Sequence, residues 1–251
     1  MSGSFKDHFS GHAGDYAVFR PEYPAELFDW LASRAPGRHL AWDVATGNGQ
    51  AARVLARYFE RVVASDASAE QIAQATGPAH VDFRVEPAEG SSLADGSVDL
   101  VTVAQACHWF DHAAFVDEVG RVSASGGVAA IWTYELARVN PVFDGQIDTF
   151  YRETIGPWWP PERCIVERGY RDLDFPWPEL DSPRFVMRHD WTLDRFEGYL
   201  RTWSAVRRCQ AVTGKDPVAG IHERLLDAWG VESGRSRTVE WPLAVRAFRL
   251  G

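Results

Sequence analysis

Two kinds of apolar pattern alternate along the first half of the chain. Short continuous apolar runs predict strands, and they occupy residues 39–45, 61–67, 81–88, 98–106 and 126–134. Apolar residues at helical spacing predict helices, and these occupy residues 24–35, 49–59, 68–75 and 112–124. Continuous apolar strands that alternate with helices are typical of a parallel sheet covered on both faces. We therefore predict a doubly wound α/β sheet.

The second half of the chain changes character. Residues 137–183 are irregular and rich in proline and tryptophan, which favours a lid or insertion after the fifth strand. Beyond this segment, the pattern predicts strands at residues 184–192 and 237–248 and helices at residues 193–210 and 216–229. The chain is predicted to be a single domain with a mostly parallel, seven-stranded sheet. Its expected parts are N-terminal cap helices at residues 1–35, a ligand-binding core at 36–136, the lid at 137–183, and completing strands and helices at 184–251.

Charge and composition narrow the expected partners. The net charge is −9 without a long basic cluster, so a nucleic-acid-binding surface is not expected. No apolar run approaches the roughly 18 residues that a membrane span needs. The N-terminus does not read as a signal peptide, so we expect a cytoplasmic protein. The three cysteines are scattered, which argues against a disulfide framework or a thiolate zinc site. We expect a small-molecule partner and a monomer or homodimer.

The first predicted strand ends in a glycine-rich corner, "ATGNG", at residues 45–49. Gly47 and Gly49 allow backbone N–H groups to approach a ligand, and the helix that follows adds its positive end. Asp43 lies just before the corner, where a carboxylate would repel a pyrophosphate and attract an ammonium or a sulfonium. The corner therefore predicts a ligand that carries positive charge.

A second acid, Asp66, ends the next predicted strand, 17 residues after Gly49. From that place a carboxylate can bind both hydroxyls of a ribose. The alternative is a helix N-terminal acid before "SAEQ". The chain has only two lysines, Lys6 and Lys215, and neither lies in a P-loop or in a Tyr-x-x-x-Lys pair. P-loop chemistry and short-chain dehydrogenase chemistry are therefore not expected.

The stretch "CHWFDH", residues 107–112, follows the fourth predicted strand. His108 and His112 are four residues apart and could be metal ligands on a helix, but no third ligand has the spacing to complete a site. We therefore expect no metal. The favoured interpretation is that Asp111 caps the next helix while His108 and Trp109 face the reaction pocket. The alternative is that His108 only forms a hydrogen bond with the backbone.

Four ordered motifs carry a family resemblance. They are "WDVATGNGQAA", "VVASDASAEQIAQA", "VEPAEGSSLADGSVDLVTVAQACHWFD" and "RVSASGGVAAIW". In that order they resemble the class I S-adenosylmethionine-dependent methyltransferases. The N-terminal "YAVFRPEYP" and the "HWF" after the fourth strand are similar to the trans-aconitate methyltransferase branch. The resemblance implies a Rossmann-like fold, S-adenosylmethionine as cofactor and a small-molecule acceptor such as a carboxylic acid.

The resemblance also implies roles for residues of the first two strand ends. Asp43, Gly47 and Gly49 would hold the methionine part of the cofactor. Asp66 would bind the ribose, with Ala67 beside it. These five residues and Ala45, in the same corner, are therefore expected to contact the cofactor.

Other implied contacts come from the later strands and from the N-terminus. Ala88 and Glu89 would flank the adenine, and Gln105 would lie beside the sulfonium end. Tyr16 and Arg20 would close over the cofactor, with Arg20 a candidate partner for its carboxylate. The alternative for this N-terminal stretch is a helix packed on the sheet with a surface arginine.

Two positions depart from the family pattern. Ala45 stands where the family usually has glycine, and we expect a negative φ there, with narrowed clearance and retained binding. Pro87 stands where many members carry an acid that reaches the adenine amine. These departures leave open a non-catalytic protein of the same fold that only binds the cofactor.

The expected reaction is in-line attack of an acceptor atom on the sulfonium methyl, with most acceleration from alignment of the reactants. A hydroxyl or carbon acceptor would need a base, and His108, with an ordinary pKa of about 6.5, is the candidate. A carboxylate acceptor would be already ionised, and lid arginines such as Arg163, Arg168 or Arg171 could hold a second carboxylate. The predicted substrate-contacting residues are Trp109, Trp158, Trp159 and Arg163. The alternative for the lid tryptophans is that they form a lid core.

A different enzyme class remains as a rival. The stretch "GNGQAA" satisfies the relaxed dinucleotide pattern G-x-G-x-x-A, and Asp66 suits a ribose in either class. An NAD(P)-dependent oxidoreductase with a Rossmann site is therefore the alternative function. Asp43 and the missing Tyr-x-x-x-Lys pair argue against it.

Overall fold

The computed structural model describes residues 19–230 and 234–251. Within these residues seven strands form one sheet in the order β3–β2–β1–β4–β5–β7–β6. The strands are β1 (Leu40–Val44), β2 (Arg61–Asp66), β3 (Val81–Val85), β4 (Val98–Ala104), β5 (Ser123–Tyr134), β6 (Phe185–Trp191) and β7 (Arg237–Arg249). The predicted fold class is confirmed.

The first five strands are parallel, and β7 runs antiparallel between β5 and β6. The central strand β1 has Trp42 opposite Val63 of β2 and opposite Val101 of β4. All three side chains are buried, as expected for strands covered on both faces. The strand order reverses direction between β1 and β4, and such a reversal opens a crevice at the carboxyl ends of the strands.

Helices cover both faces and extend beyond β5. They are α1 (Ala25–Arg34), α2 (Gln50–Leu55), α3 (Ala69–Gln74), α4 (His112–Val122), α5 (Pro141–Thr149), α6 (Arg163–Glu167), α7 (Leu193–Arg201), α8 (Ser204–Thr213) and α9 (His222–Trp229). None of the helices in residues 19–230 and 234–251 has the length and apolar character needed to cross a bilayer. Phe28 and Leu55 pack on one face of the sheet, and Phe115 and Val119 on the other.

The segment after β5 is more regular than the sequence predicts. Helix α5 buries Phe143 and Ile147 in a third core, so the expectation of an irregular segment is wrong for residues 141–154. The Asn140 side chain accepts hydrogen bonds from the first turn of α5, and Pro141 occupies the first helical position. Both are helix-start signals. The division of the chain into a core and a lid remains a prediction.

Three predicted helices differ from the observed ones. The helix predicted over residues 193–210 is two helices, because Trp203 leaves the helical path and packs against Phe150 and Tyr151. The helix predicted over 216–229 becomes an α-helix only at His222, and the one predicted over 49–59 ends at Leu55. At Trp203, the packing of large side chains therefore ends the helix although the apolar spacing continues.

Candidate active site

A cavity of about 630 Å³ lies at the carboxyl ends of β1 to β4, within the size range of small-molecule sites. Four strand ends contribute to its wall: Ala45 follows β1, Asp66 ends β2, Glu86 follows β3 and Gln105 follows β4. We call it the strand-end cavity. The described residues that line it are Ala45, Gly47, Asp66, Ala67, Ser68, Gln71, Glu86, Pro87, Ala88, Glu89, Ala104, Gln105, Ala106, His108, Trp109, Phe110, Asp111, Ala114 and Glu162.

The glycine corner between β1 and α2 needs both of its glycines. Gly47 has φ +57° and Gly49 has φ +84°, in the left-handed region that glycine adopts without a Cβ penalty. Gly47 lines the strand-end cavity, and its N–H donates to Asp66 Oδ2 at 2.9 Å. Gly49 faces the protein instead, because a Cβ there would lie 2.8 Å from the ring of Phe83. Gly47 therefore leaves space for a ligand, and Gly49 leaves space for the ring of Phe83.

Ala45 is left-handed as well, with φ +51°, so the expected negative φ is wrong. For an L-residue this conformation costs about 1–2 kcal/mol. Hydrogen bonds on either side hold it in place, since the Thr46 N–H donates to Ser65 O at 2.9 Å. Gln105, at the end of β4, shares this strain with φ +61°. Strained residues cluster at ligand sites, and both of these line the strand-end cavity.

Asp43 lies beneath the corner rather than in the cavity wall. Its side chain is 1% exposed and accepts hydrogen bonds from Thr46 Oγ1 at 2.5 Å and from Thr102 Oγ1 at 2.8 Å. Burial raises the pKa of this carboxyl to about 6, against the two threonine hydrogen bonds. At neutral pH its negative charge is therefore held under the loop, where it fixes the corner and contributes to the field in the cavity.

Asp66 connects the end of β2 to the glycine corner. Its Oδ2 accepts from the Gly47 N–H and its Oδ1 accepts from the Ser68 N–H, both at 2.9 Å. Ser68, rather than Asp66, caps helix α3, because its side chain accepts from Gln71 N. Carboxylate oxygens have about four acceptor positions in total. The geometry therefore leaves Asp66 able to serve both the loop and a ligand hydroxyl.

Acidic side chains dominate the charge of the strand-end cavity. Its wall contains the carboxylates of Asp66, Glu86, Glu89, Asp111 and Glu162, and no lysine or arginine of the described residues lines it. Some of these acids also order the wall: Glu89 Oε1 accepts from the Asp111 N–H at 2.9 Å, and Glu86 Oε1 accepts from Ser92 Oγ at 2.5 Å. A concave site lined by one sign of charge attracts ligands of the opposite sign, so the cavity favours a cation and opposes a pyrophosphate.

His108 lies in a 3₁₀ turn, Cys107–Trp109, at the cavity wall. Its Nδ1 is 3.1 Å from Tyr170 Oη, and its ring lies 4.5 Å from the ring of Trp109. Burial, and secondarily the charge of Arg163, lower the pKa of His108 to about 3. The ordinary pKa expected from the sequence is therefore wrong for this environment, and the imidazole is neutral at pH 7.

The other residues of "CHWFDH" have separate surroundings. Asp111 Oδ1 accepts from the Ala114 N–H at 3.3 Å, so it caps α4 as predicted. His112 Nε2 lies 2.6 Å from Asp174 O, while the Nδ1 of His108 contacts Tyr170. The two histidines therefore have different partners. Across the described ranges, no three His, Cys, Asp or Glu side chains converge as metal ligands.

The burial of neutral His108 predicts a loss of stability in acid. Between pH 6.5 and about 3 the unfolded chain binds a proton that the folded chain excludes, so the free energy of unfolding decreases as pH falls. We expect this decrease to be steeper in the wild type than in His108→Gln, by up to about 1.4 kcal/mol per pH unit. Urea denaturation of both proteins from pH 7.5 to pH 4 measures the difference. Parallel curves would contradict a buried neutral imidazole.

Three predicted substrate residues do not line the strand-end cavity. Trp158, Trp159 and Arg163 are absent from its wall, and Glu162 is the residue of this segment that lines it. The Arg163 Nε donates to Tyr151 Oη at 2.6 Å, and the Arg163 guanidinium lies 4.6 Å from the ring centre of Trp159. This packing matches the alternative in which the lid tryptophans form a core. Trp109, in contrast, does line the cavity.

The two N-terminal residues that were predicted to contact the cofactor are Tyr16 and Arg20. Tyr16 lies outside the described residues. Arg20 is partly buried; its Nη1 donates to Tyr134 Oη, and its guanidinium lies 5.6 Å from the ring centre of Tyr199. It lines a second cavity, of about 370 Å³, instead of the strand-end cavity.

Sequence reasoning missed several residues of the wall. They are Ser68, Gln71, Glu86, Ala104, Ala106, Phe110, Ala114 and Glu162. Glu86 could have been found, since it follows β3 as Asp66 ends β2 and the same strand-end rule applies. Glu162 comes from the segment after β5, where no periodicity indicates which side chains turn toward the strand ends. Its place depends on tertiary packing.

Comparison with known proteins agrees with this geometry. Residues 42–131 match a family described as a methyltransferase domain. A Dictyostelium discoideum protein named as a methyltransferase is 33% identical over 240 residues, 94% of this chain and 91% of that protein. An uncharacterized methyltransferase of Mycobacterium tuberculosis is 39% identical over 127 residues, 49% of this chain and 51% of the relative.

A solved structure gives the same answer for the fold. A protein of Anaeromyxobacter dehalogenans described as a type II methyltransferase is 47% identical, with a TM-score of 0.87, over 92% of this chain and 98% of its own. The two proteins are therefore similar over nearly their whole length, including the parts that lie outside the sheet. With the relative matched along 91% of its length, the chain belongs to the class I S-adenosylmethionine-dependent methyltransferases.

Proposed function

We propose that the protein binds S-adenosylmethionine in the strand-end cavity and transfers its methyl group in line to a small molecule. One observation supports this proposal above the others: five carboxylates line the cavity, and no lysine or arginine of the described residues does. A sulfonium with an ammonium group suits such a wall, whereas a dinucleotide would bring its diphosphate against it. The donor set thus fits the cofactor that the family uses.

Different residues of the wall would bind different parts of the cofactor. Asp66 would accept hydrogen bonds from the ribose hydroxyls while it retains the Gly47 N–H. Ala88 and Glu89 would flank the adenine, and Gln105, at the end of β4, would lie toward the reacting end. When bound, S-adenosylmethionine supplies an electrophilic methyl group. The protein's own task is then to align the acceptor with that methyl, which is worth up to roughly 7–11 kcal/mol of barrier.

His108 would orient the acceptor rather than act as a strong base. A neutral imidazole whose pKa is lowered to about 3 binds a proton weakly, so it removes one poorly at pH 7. An acceptor that is already ionised needs no such help, and a carboxylic acid meets this condition.

Ligand binding tests the proposal most directly. Isothermal titration calorimetry of the full-length protein should show micromolar binding of S-adenosylhomocysteine and no measurable binding of NADH. Incubation with methyl-labelled S-adenosylmethionine and a pool of cell metabolites should then label a small molecule. Tighter binding of NADH than of S-adenosylhomocysteine would reject the proposal in favour of the oxidoreductase. Binding without any labelled product would indicate a protein that only holds the cofactor.

A further inference from the structure

A second cavity, of about 370 Å³, adjoins the glycine corner. Gly47 faces the strand-end cavity, whereas Asn48 and Gln50 contribute to this second one. We call it the arginine cavity. Its lining is Arg20, Pro21, Glu22, Asn48, Gln50, Arg53, His189 and Arg195. None of these residues lines the strand-end cavity. The two cavities therefore have separate walls, although the glycine corner contributes residues to both.

The arginine cavity has the opposite charge to the strand-end cavity. Among the described residues that line it are three guanidinium groups, from Arg20, Arg53 and Arg195, and one carboxylate, that of the exposed Glu22. Neither Arg53 nor Arg195 forms an ion pair with any carboxylate of the described residues. The chain has more acidic residues, 35, than basic residues, 26. A shortage of carboxylates therefore does not explain why two arginines in one cavity have no ion-pair partner among the described residues.

Local contacts hold the arginines in position. Arg53 Nη1 donates to Asn48 O at 2.7 Å and to Thr76 O at 3.1 Å. A guanidinium has five N–H donors, so Arg53 retains donors on Nε and Nη2. The Arg195 guanidinium lies 4.9 Å from the ring centre of Trp191, and stacking of this kind limits the rotamers of the side chain. Both groups are therefore ordered before any ligand arrives.

The segment that closes the cavity is also fixed on two sides. Gln50 Nε2 donates to Pro21 O at 2.9 Å. His189 Nε2 lies 3.1 Å from both the backbone nitrogen and the carbonyl oxygen of Glu22. Residues 20–22 thus bridge the start of α2 and the end of β6. The arginine cavity is a concave site between connected elements instead of a row of arginines on an open surface.

We propose that the arginine cavity binds a small multivalent anion, one that carries carboxylate or phosphate groups. Planar guanidinium groups bind both kinds of oxyanion in bidentate fashion, and the amides of Asn48 and Gln50 line the same space. The five carboxylates of the strand-end cavity repel an anion of several charges more strongly than an acceptor with a single carboxylate, so charge favours the arginine cavity for the multivalent anion. The proposal does not depend on methyl transfer.

Calorimetry with sodium citrate, and separately with inorganic phosphate, tests the anion site on the full-length protein. We expect the wild type to bind citrate, and to bind it more weakly as sodium chloride screens the charges. Arg53→Gln/Arg195→Gln should weaken citrate binding at least tenfold. Arg57→Gln/Arg61→Gln is the matched control, because it removes the same charge from exposed arginines outside the cavity. The phosphate titration shows which oxyanion the cavity prefers.

Two further measurements separate the arginine cavity from the cofactor site. Arg53 contacts the glycine corner, so Arg195→Glu alone provides a variant that leaves this corner intact, and it too should abolish citrate binding. Affinity for S-adenosylhomocysteine should remain unchanged in Arg195→Glu. Equal citrate affinity in the cavity and control variants would overturn the proposal. Loss of S-adenosylhomocysteine binding in Arg195→Glu would also overturn it, because the cavity would then belong to the cofactor.

Discussion

Asp66→Ala is expected to weaken S-adenosylhomocysteine binding about 100-fold, whereas His108→Ala should change it less than about threefold. A hydrogen bond to a charged group contributes about 1.5–3 kcal/mol, and two ribose hydroxyls that lose their acceptor cost about 3 kcal/mol together, which is a factor of about 100. His108 would face the acceptor, so its loss should affect methyl transfer and not cofactor affinity. Isothermal titration calorimetry of the three proteins measures both effects.

The control for this experiment concerns the loop itself. Asp66 also accepts the N–H groups of Gly47 and Ser68, so its removal could loosen the corner. Asp66→Asn retains one oxygen acceptor and should lose an intermediate amount of affinity. Thermal unfolding of each variant shows whether the fold persists. Equal losses of affinity in Asp66→Ala and His108→Ala would contradict the division of roles between cofactor and acceptor.

The fold was predictable because its signals are local and repeated. Strands such as β4 are apolar on both faces, and turn or helix-start residues separate them, so the alternation alone indicates a parallel sheet. The break at Trp203 was not predictable in the same way. The apolar spacing continues through it, and only the packing of its indole on Phe150 and Tyr151 makes the helical path end there.

The candidate site was predictable wherever a residue ends a strand. Asp66, Glu89 and Gln105 line the cavity because the carboxyl ends of parallel strands meet at one edge. Two properties were beyond the sequence. The left-handed φ of Ala45 depends on the bonds of its neighbour to the sheet. The low pKa of His108 depends on burial and on Arg163, which lies more than fifty positions further along the chain.

Asp43 precedes the glycine corner in the sequence, but its side chain does not lie in the cavity wall. The sequence places this acid immediately before the corner, which favours direct contact with a cation. In the structure it is buried beneath the loop and held by Thr46 and Thr102. Its negative charge still acts at short range in a medium of low polarity. The prediction of a cation site is therefore supported by the carboxylates of the wall, with Asp43 as the group that fixes the corner.

Gly49→Ala is expected to have the largest effect on stability, a loss of about 2–5 kcal/mol of unfolding free energy. The left-handed φ of +84° contributes the first part. The new methyl group would lie 2.8 Å from Phe83 and 3.4 Å from Thr76 O, and this overlap contributes the rest. Thr76 O is a backbone atom, so this contact cannot be relieved by a change of side-chain rotamer. Urea denaturation at pH 7.5 measures the loss.

Gly47→Ala is the matched comparison, since the same substitution two residues away meets a different environment. Its methyl group would come no closer than 3.8 Å to a neighbour, Gln71 Oε1, so only the left-handed φ should reduce stability, by about 1–2 kcal/mol. Gly47 and Gln71 line the strand-end cavity, and the methyl group of Gly47→Ala should weaken S-adenosylhomocysteine binding at least tenfold. Phe83→Leu should restore part of the stability of Gly49→Ala and none of the affinity of Gly47→Ala. If both alanine variants lost stability equally, the assignment of one glycine to packing and the other to the ligand would be wrong.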